Sequence, residues 1–184
     1  MPARPDPSRH SQNKRVPTLT IRYAVGISPL GQMLVAATER GICAVFLGES
    51  AAELKAALRR EFPLATIHLD VDSLAETLAV ALAQLSGHLQ SAALPLDIRA
   101  TAFQQRVWQA LQQIPRGQTA SYAQVAAAIG QPTAVRAVAR ACAQNSVAIL
   151  IPCHRVLGSN NKLTGYRWGI ARKRQLLQIE QIDG

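Results

Sequence analysis

The fold of the C-terminal half is indicated most directly by residues 121–145, SYAQVAAAIGQPTAVRAVARACAQN. Ser121 is suited to cap a first helix, and the Gly130-Gln131-Pro132 turn ends that helix. Thr133 is suited to cap a second helix, which ends at Gln144. Two short helices joined by a tight turn that contains glycine predict a helix-turn-helix.

The second of these helices is rich in alanine and carries Arg136 and Arg140 four residues apart. Small side chains allow a helix backbone to approach a nucleic-acid groove, while arginines at this spacing project from one face. This pattern favours a helix that recognises DNA. The alternative interpretation is an alanine-rich core helix whose arginines are merely solvated.

The N-terminal half has a different pattern, with short β-prone runs at residues 19–23, 32–36 and 42–46 separated by turn signals. These runs predict strands and hairpins. Helical spacing of apolar residues then predicts helices over residues 51–62 and 73–89. We therefore expect a small α/β unit that contains no catalytic residue.

Three segments follow from these patterns. Residues 1–17 are polar and contain prolines, so we expect a disordered basic leader. Residues 18–94 form the predicted N-terminal α/β domain. Residues 95–184 form the predicted C-terminal domain, which adds helices capped by Thr101 and spanning residues 170–182 to the helix-turn-helix.

The candidate reactive residue lies where the apolar run Val147–Ile151 leads into Pro152-Cys153-His154-Arg155. We interpret the run as a buried strand with a thiol at its end. Neighbouring positive charge lowers a thiol pKa and favours the nucleophilic thiolate. On an extended chain Cys153 and His154 would point to opposite faces, so we expect a water to connect them. A Cys-His dipeptide alone is also compatible with a purely structural cysteine.

Charge and cysteine content restrict the class of protein. The net charge is +9, and residues 95–184 carry +8, which favours a nucleic-acid partner over a merely soluble basic surface. Cys43 and Cys142 are predicted core residues, and the odd cysteine count without a CxxC pair indicates a reducing, cytoplasmic location with no metal site. No apolar run approaches the roughly 18 residues of a membrane span, so we expect no membrane partner.

These residues together resemble the O6-alkylguanine-DNA alkyltransferases over roughly residues 18–182. The resemblance is carried by Phe103–Trp108, Tyr122, Arg136, Asn145, Pro152–Val156, Tyr166–Gly169 and Leu176–Glu180.

The resemblance implies an α+β fold with a three-stranded antiparallel sheet and helices (a ribonuclease H-like domain), then a helical domain with a winged or plain helix-turn-helix. It implies stoichiometric, irreversible transfer of an alkyl group from O6-alkylguanine, and possibly O4-alkylthymine, in double-stranded DNA to Cys153. No cofactor is implied, and we expect a monomer. The alternative is a DNA-binding sensor of alkyl lesions that performs no transfer. A Cys-His hydrolase is a third interpretation.

The resemblance also implies a role for each candidate residue. Cys153 would be the alkyl acceptor, and His154, held by Glu180, would act on it through water. Tyr122 and Arg136 would turn the damaged nucleotide out of the duplex, and Asn145 would brace the active-site segment. The base pocket would be lined by Val156, Tyr166, Arg167 and Trp168. Because some relatives carry glycine in place of Trp168, we expect this indole to narrow the pocket against bulky adducts.

Overall fold

The structure is a computed structural model that describes residues 19–86 and 94–182. The predicted leader and the predicted last residues of the 73–89 helix lie outside the described residues. The N-terminal half contains β1 (Thr20–Ser28), β2 (Gly31–Ala37), β3 (Ile42–Gly48), α1 (Ala51–Glu61), β4 (Thr66–Leu69) and α2 (Val71–Leu85). The C-terminal half contains α3 (Ala102–Gln112), β5 (Ala120–Ser121), α4 (Tyr122–Ala128), α5 (Val135–Ala143), β6 (Val156–Leu157) and α6 (Ile170–Ile182).

The N-terminal sheet has the strand order β3-β2-β1-β4. The three predicted strands are confirmed as an antiparallel set, with Val25 opposite Leu34 in the first pair of strands. The fourth strand, β4, runs parallel to β1 and places Ile67 opposite Ile21. It was missed because four residues are too few to show an alternating pattern.

Both helices of this half begin at a side-chain cap. Ser50 caps α1 by accepting a hydrogen bond from the Glu53 amide at 3.2 Å, which fixes the start as predicted. Helix α2 begins two residues earlier than predicted because Asp70 provides the cap. Its carboxylate accepts a hydrogen bond from the Ser73 amide at 3.1 Å, so the helix includes Val71 and Asp72.

The C-terminal half contains the predicted helix-turn-helix, formed by α4 and α5. Ser121 and Gln124 form a capping box at the start of α4, as Thr101 and Gln104 do at the start of α3. The prediction that Thr133 caps the second helix is wrong. The N-cap of α5 is the following residue, an alanine, and no side chain bonds to the first amides.

The segment that precedes Cys153 is not the strand we predicted. Only Val147 forms a single bridge, to Val45 of β3, and the chain then turns with Ile149 at φ 71°. The turn is closed by a hydrogen bond from the Ile151 amide to the Val147 carbonyl at 3.1 Å. Apolar content predicted the burial correctly, but a short buried turn and a buried strand give the same pattern.

One hydrophobic core connects the two halves. Val35 and Val45 of the sheet belong to the same buried cluster as Val107 and Trp108 of α3 and Val138 of α5. Each fully buried side chain of this kind contributes roughly 1.5–3 kcal/mol, so the shared core couples the halves energetically. The boundary between residues 94 and 95 remains a prediction. Within the described residues, no helix is long and apolar enough to cross a bilayer.

Candidate active site

Cys153 opens a short 3-10 helix, Cys153–Arg155, directly after Pro152. Its side chain is buried, with only 4% of the residue exposed. The amide of Cys153 donates to the Ile151 carbonyl at 2.8 Å. The cysteine therefore lies on a tight turn and not on an extended chain, which removes the basis for placing His154 on an opposite strand face.

Asn145 holds this turn in place. Its side-chain amide donates to the Ile151 carbonyl at 2.8 Å and to the Cys153 sulfur at 3.2 Å, and its carbonyl accepts from the Val147 amide at 3.0 Å. The residue is 1% exposed, so all three bonds are shielded from water. Gln144, and not Asn145, is the C-cap of α5. Asn145 thus connects the end of α5 to the cysteine.

The resting cysteine is a protonated thiol. Burial raises the pKa of Cys153 above its ordinary value, and this outweighs the hydrogen bond from Asn145 and the positive charges of Lys173 and Arg167, which lower it. The expectation that neighbouring charge lowers the pKa overall is wrong. The physical reason is that desolvation disfavours the anion more than the nearby cations favour it.

The position of Arg155 in the sequence suggested that it supplies positive charge to the sulfur, but it does not. Its guanidinium donates to both oxygens of the Glu180 carboxylate at 2.8–3.2 Å and to the Ile114 carbonyl at 2.6 Å. Such a forked arrangement fixes a carboxylate in orientation as well as position. Arg155 therefore orients Glu180.

His154 and Glu180 are in direct contact and both are buried. The Nε2 atom of His154 lies 2.8 Å from Oε1 of Glu180, and because an ionised carboxylate only accepts, Nε2 carries the hydrogen. The other ring nitrogen, Nδ1, is buried and has no hydrogen-bond partner among the described residues. The neutral ring therefore presents a free proton acceptor.

Burial lowers the pKa of His154, although the hydrogen bond to Glu180 and the charge of that carboxylate act in the opposite direction. Burial alone would raise the pKa of Glu180, but hydrogen bonds from His154 and Arg155, with the charges of both residues, lower it to about 2. At neutral pH the pair is a neutral imidazole and an ionised carboxylate. This is the state in which Nδ1 can accept a proton.

Sequence reasoning missed Lys173. It is fully buried, and its ammonium donates to the Val156 carbonyl at 2.6 Å and to the Thr164 carbonyl at 2.9 Å. Burial lowers its pKa, while the neighbouring thiols Cys153 and Cys142 act to raise it. Nothing in the pattern of α6 distinguishes this lysine from the arginines on either side of it, because burial of a lysine depends on partners distant in sequence.

A cavity of about 370 Å³ opens beside Cys153. Its walls come from α4, α5 and the segment between β6 and α6. The lining residues are Tyr122, Ala139, Cys142, Ala143, Cys153, Thr164, Gly165, Tyr166 and Arg167. The hydroxyl of Tyr166 is buried and has no hydrogen-bond partner in the described part of the chain. One wall of the cavity thus consists of small side chains, and another carries the unpaired hydroxyl of Tyr166.

Two predicted pocket residues lie elsewhere. Trp168 stacks on Phe46 of β3, with ring centroids 4.7 Å apart, so it does not line the cavity at Cys153. The lining of this cavity therefore gives no support to the expectation that Trp168 narrows the pocket. The Val156 side chain is buried in the core, and only its carbonyl faces this region, where it binds Lys173.

The surface beside the cavity is formed by α5. Arg136, Ala137 and Arg140 are exposed on this helix, and Tyr122 is half-buried at the cavity. Burial raises the pKa of Tyr122, which keeps its hydroxyl protonated. Among the described residues, no group of three or more His, Cys, Asp or Glu side chains is arranged to hold a metal ion. The structure thus places the cysteine and the helix-turn-helix at one cavity, and His154, which follows the cysteine on its 3-10 helix, is buried against Glu180.

These features define a class: a helix-turn-helix protein that keeps a buried cysteine in a cavity next to its second helix, with a buried histidine directly after the cysteine that is paired with a glutamate. Two family models match the chain. The ribonuclease-like domain of 6-O-methylguanine DNA methyltransferase matches residues 21–113, and the DNA-binding domain of the same family matches residues 102–182. The chain belongs to this methyltransferase family.

Two relatives illustrate the range of the family. The chain is 51% identical over 162 residues to the bifunctional transcriptional activator/DNA repair enzyme Ada of Escherichia coli, covering 88% of this chain and 46% of Ada. It therefore spans about half the length of that relative. It is 40% identical to the constitutive methylated-DNA–protein-cysteine methyltransferase of Bacillus subtilis, covering 88% of this chain and 96% of that protein.

Solved structures support the same assignment. The O6-methylguanine methyltransferase of Mycobacterium tuberculosis matches with a TM-score of 0.71 at 36% identity, covering 89% of this chain and 94% of that one. A structure of the M. tuberculosis protein in complex with DNA gives the same TM-score. The methyltransferase of Pyrococcus kodakaraensis, at 20% identity and TM-score 0.73, shows the shared fold alone.

Proposed function

We propose that this chain repairs DNA by moving the alkyl group of O6-alkylguanine onto the sulfur of Cys153. The observation that carries the proposal is the position of that sulfur. It is held by Asn145, lies in a cavity of about 370 Å³, and adjoins the exposed helix of a helix-turn-helix. The volume is at the lower end of the roughly 300–1,000 Å³ typical of small-molecule sites, as suits a single flipped base.

Double-stranded DNA is the proposed partner. The target atom is inaccessible inside a duplex, so the nucleotide must leave the stack, which costs a few kcal/mol and less for a weakly paired lesion. Tyr122, at the edge of the cavity, crowds the backbone beside the lesion. Arg136, exposed on α5, fills the space that the base vacates. The related M. tuberculosis protein has a solved structure in complex with DNA, which supports this choice of partner.

The transfer is a substitution at carbon in which sulfur is the nucleophile and the guanine is the leaving group. The new bond is between Sγ of Cys153 and the alkyl carbon, and the bond that breaks joins that carbon to O6. Because the resting thiol is protonated, its proton must depart as the S–C bond forms. The proton ends on the guanine, so atoms and charge balance without a cofactor.

His154 is the proposed carrier of that proton. Its unpaired Nδ1 accepts the thiol proton through a water, and the ring returns a proton to the departing base. Glu180 keeps the proton of the ring on Nε2 and stabilises the imidazolium that forms transiently. Asn145 stabilises the developing thiolate through its hydrogen bond to the sulfur. Lys173 and Arg167 add positive charge nearby.

The base pocket consists of Tyr166 and Arg167 with the backbone between Thr164 and Arg167. Val156 contributes only through its carbonyl and Lys173. O6-alkylguanine is the proposed substrate. The small residues Ala139, Cys142 and Ala143 on the opposite wall leave room for the alkyl group.

We expect one turnover per molecule and action as a monomer in the cytoplasm. A thioether on Cys153 cannot be exchanged by another thiol, because exchange requires a disulfide bond. Cys142 lies in the same cavity, but burial raises the pKa of its thiol to about 12, so it offers no thiolate. The alkylated protein is therefore the end product.

Incubation with a short duplex that contains one O6-methylguanine distinguishes the possible activities. Repair by transfer predicts a mass gain of one methyl group per protein molecule and loss of the lesion from an equal amount of DNA. The variant Cys153→Ala should bind the duplex but gain no mass. Cys43→Ala, which changes a buried thiol in the sheet, is the matched control and should gain the methyl group as the wild type does.

Other outcomes would reject the proposal. A lesion sensor would bind the methylated duplex and leave both masses unchanged. A hydrolase would repair many equivalents of DNA without modification of the protein. A buried thiol that Asn145 holds, followed in the chain by an imidazole with an unpaired nitrogen, favours transfer over both.

A further inference from the structure

The wall of the Cys153 cavity is attached to the N-terminal domain through Arg167. This residue lines the cavity at Cys153 and also a second cavity of about 390 Å³ beside α1. Its guanidinium donates to the carboxylate of Glu61, the last residue of α1, at 2.6 Å. The pair lies at the junction of the two halves, with side chains 24% and 32% exposed.

Aromatic rings support the same contact. The Arg167 guanidinium lies 5.2 Å from the centre of the Phe46 ring and 4.9 Å from that of Trp168. Phe46 belongs to β3, so the arginine is held by a carboxylate and an aromatic ring of the N-terminal domain at once. Contacts of this kind orient a planar guanidinium more strictly than an ion pair alone.

The chain around Arg167 would be mobile without such contacts. Gly165 precedes it and Gly169, at φ +95°, follows it, and an added Cβ at either glycine would meet nothing within 4 Å. A hydrogen bond from the Gly169 amide to the Tyr166 carbonyl at 3.0 Å closes a turn around Arg167, but glycines at both ends allow many backbone conformations, so this turn alone does not fix the position of the segment. Lys173 holds the Thr164 carbonyl at one end, and Arg172 holds the Trp168 carbonyl at the other, each at 2.9 Å. Between those points, the side-chain hydrogen bond among the described residues is the one from Arg167 to Glu61.

We propose that Glu61, in the domain without catalytic groups, is a positioning residue for alkyl transfer. By holding Arg167 it keeps Tyr166 and the adjoining backbone in place against the flipped base. This inference rests on the function proposed above. It assigns to α1 a part in the reaction, although Glu61 contacts neither the thiol nor the histidine.

A purely structural role predicts a different result. Partly exposed ion pairs contribute little to folding stability, so loss of the Glu61 charge should leave the protein folded. A displaced pocket wall should instead slow the reaction of bound substrate, because transfer rates depend steeply on alignment of the reacting atoms. The limiting rate is therefore the informative quantity.

The test compares Glu61→Gln with the matched control Glu53→Gln. Glu53 lies on the same helix and lines the same second cavity, but has no ion pair with the C-terminal half among the described contacts. Each protein is mixed, in excess over the methylated duplex, at increasing protein concentration, and a separate sample of each is incubated with excess duplex to count the molecules that can react. Three quantities are measured: the limiting transfer rate, the concentration at half-maximal rate and the fraction of molecules that gain a methyl group.

For Glu61→Gln we expect the limiting rate to fall by about tenfold, with little change in the half-maximal concentration or the methylated fraction. Glu53→Gln should match the wild type in all three. Equal limiting rates in the two variants would overturn the inference. A lower methylated fraction at an unchanged rate would also overturn it, because that is the signature of partial unfolding. If the wild type itself gains no methyl group on Cys153, the proposed function fails, and this outcome is separate from the comparison of variants.

Discussion

At the scale of single residues, the site depends on buried polar side chains that bond to one another or to the backbone. Asn145 satisfies a carbonyl, an amide and the sulfur at once, and it comes from the residue after the C-cap of α5. Its identity as a site residue could be proposed from the sequence, but its contacts could not. The sequence shows that Asn145 and Cys153 are eight residues apart, whereas the tight turn that brings them together is specified by tertiary packing.

Replacing Asn145 with alanine should destabilise the protein and slow the transfer. The Val147 amide would lose its side-chain partner in the core, at a cost of about 1–3 kcal/mol, whereas the Ile151 carbonyl would keep the bond from the Cys153 amide. Chemical denaturation measures this loss. The control Gln144→Ala, at an exposed neighbouring position, should change stability by no more than about 0.5 kcal/mol. Comparable effects of the two variants would contradict the bracing role.

The raised pKa of Cys153 predicts how the free protein reacts with a small alkylating reagent. Because the folded thiol ionises only above its ordinary value of 9.0, the rate of iodoacetamide modification at Cys153 should still be rising at about pH 9. Peptide mapping at each pH gives the rate for this residue alone. A plateau with a midpoint below about pH 8 would show instead a thiolate already formed at rest.

The same shift has a consequence for stability, with a definite sign. Folded pKa values of the three buried thiols are raised, to about 12 for Cys43 and Cys142, so the folded state favours the protonated forms. Their contribution to stability is complete below the unfolded pKa and is lost as pH rises through the folded values. Denaturation should therefore show the free energy of unfolding falling above about pH 9, and falling less in Cys43→Ala. An identical decline in that variant would contradict the assignment.

At the scale of elements, α5 is the point where binding and chemistry meet. One face contributes Val138 and Ala141 to the core, another exposes Arg136 and Arg140, and its C-terminal end leads into Asn145. Helix α4 and the turn could be predicted because capping residues, glycine and proline mark them locally, whereas α5 has no side-chain cap and Thr133 misplaced its start. The false strand at 147–151 could not be excluded, since a buried turn and a buried strand share one composition.

Arginine substitutions on α5 should separate base flipping from simple attraction to DNA. Arg140→Ala should weaken binding to any duplex and reduce the slope of log affinity against log salt by about 1. Arg136→Ala should slow transfer from a methylated duplex more than from a methylated single strand, where no vacated space needs filling. The matched control, Arg59→Ala, removes an exposed arginine from α1 and should change neither quantity. Equal effects of the three substitutions would indicate only general electrostatics.

At the scale of the whole molecule, the N-terminal domain contributes no catalytic group but packs directly against the half that carries the site. The core is continuous from the sheet to α3 and α5, and Trp168 extends from the C-terminal half to stack on Phe46. The positive charge of the C-terminal half predicted a nucleic-acid partner, which agrees with the DNA partner proposed above. The charge pattern gave no indication of these contacts. Glu61 and Arg167 are 106 residues apart, and in the sequence each looks like an ordinary charged surface residue.

The shared core predicts that the two halves unfold together. The chain has two tryptophans, Trp108 in α3 and Trp168 against the sheet, so the variants Trp168→Phe and Trp108→Phe each retain one reporter. Within each variant, fluorescence and far-ultraviolet circular dichroism should give coincident thermal transitions. Two separated transitions would show that the halves are independent units.

The most direct test of the central claim is the location of an isotopically labelled methyl group after repair. A duplex carrying deuterated O6-methylguanine is incubated with the protein, and the protein is digested and mapped by tandem mass spectrometry. The account predicts one trideuteromethyl group per molecule, on the sulfur of Cys153. Label on another residue, or unlabelled protein after the lesion has disappeared, would contradict it.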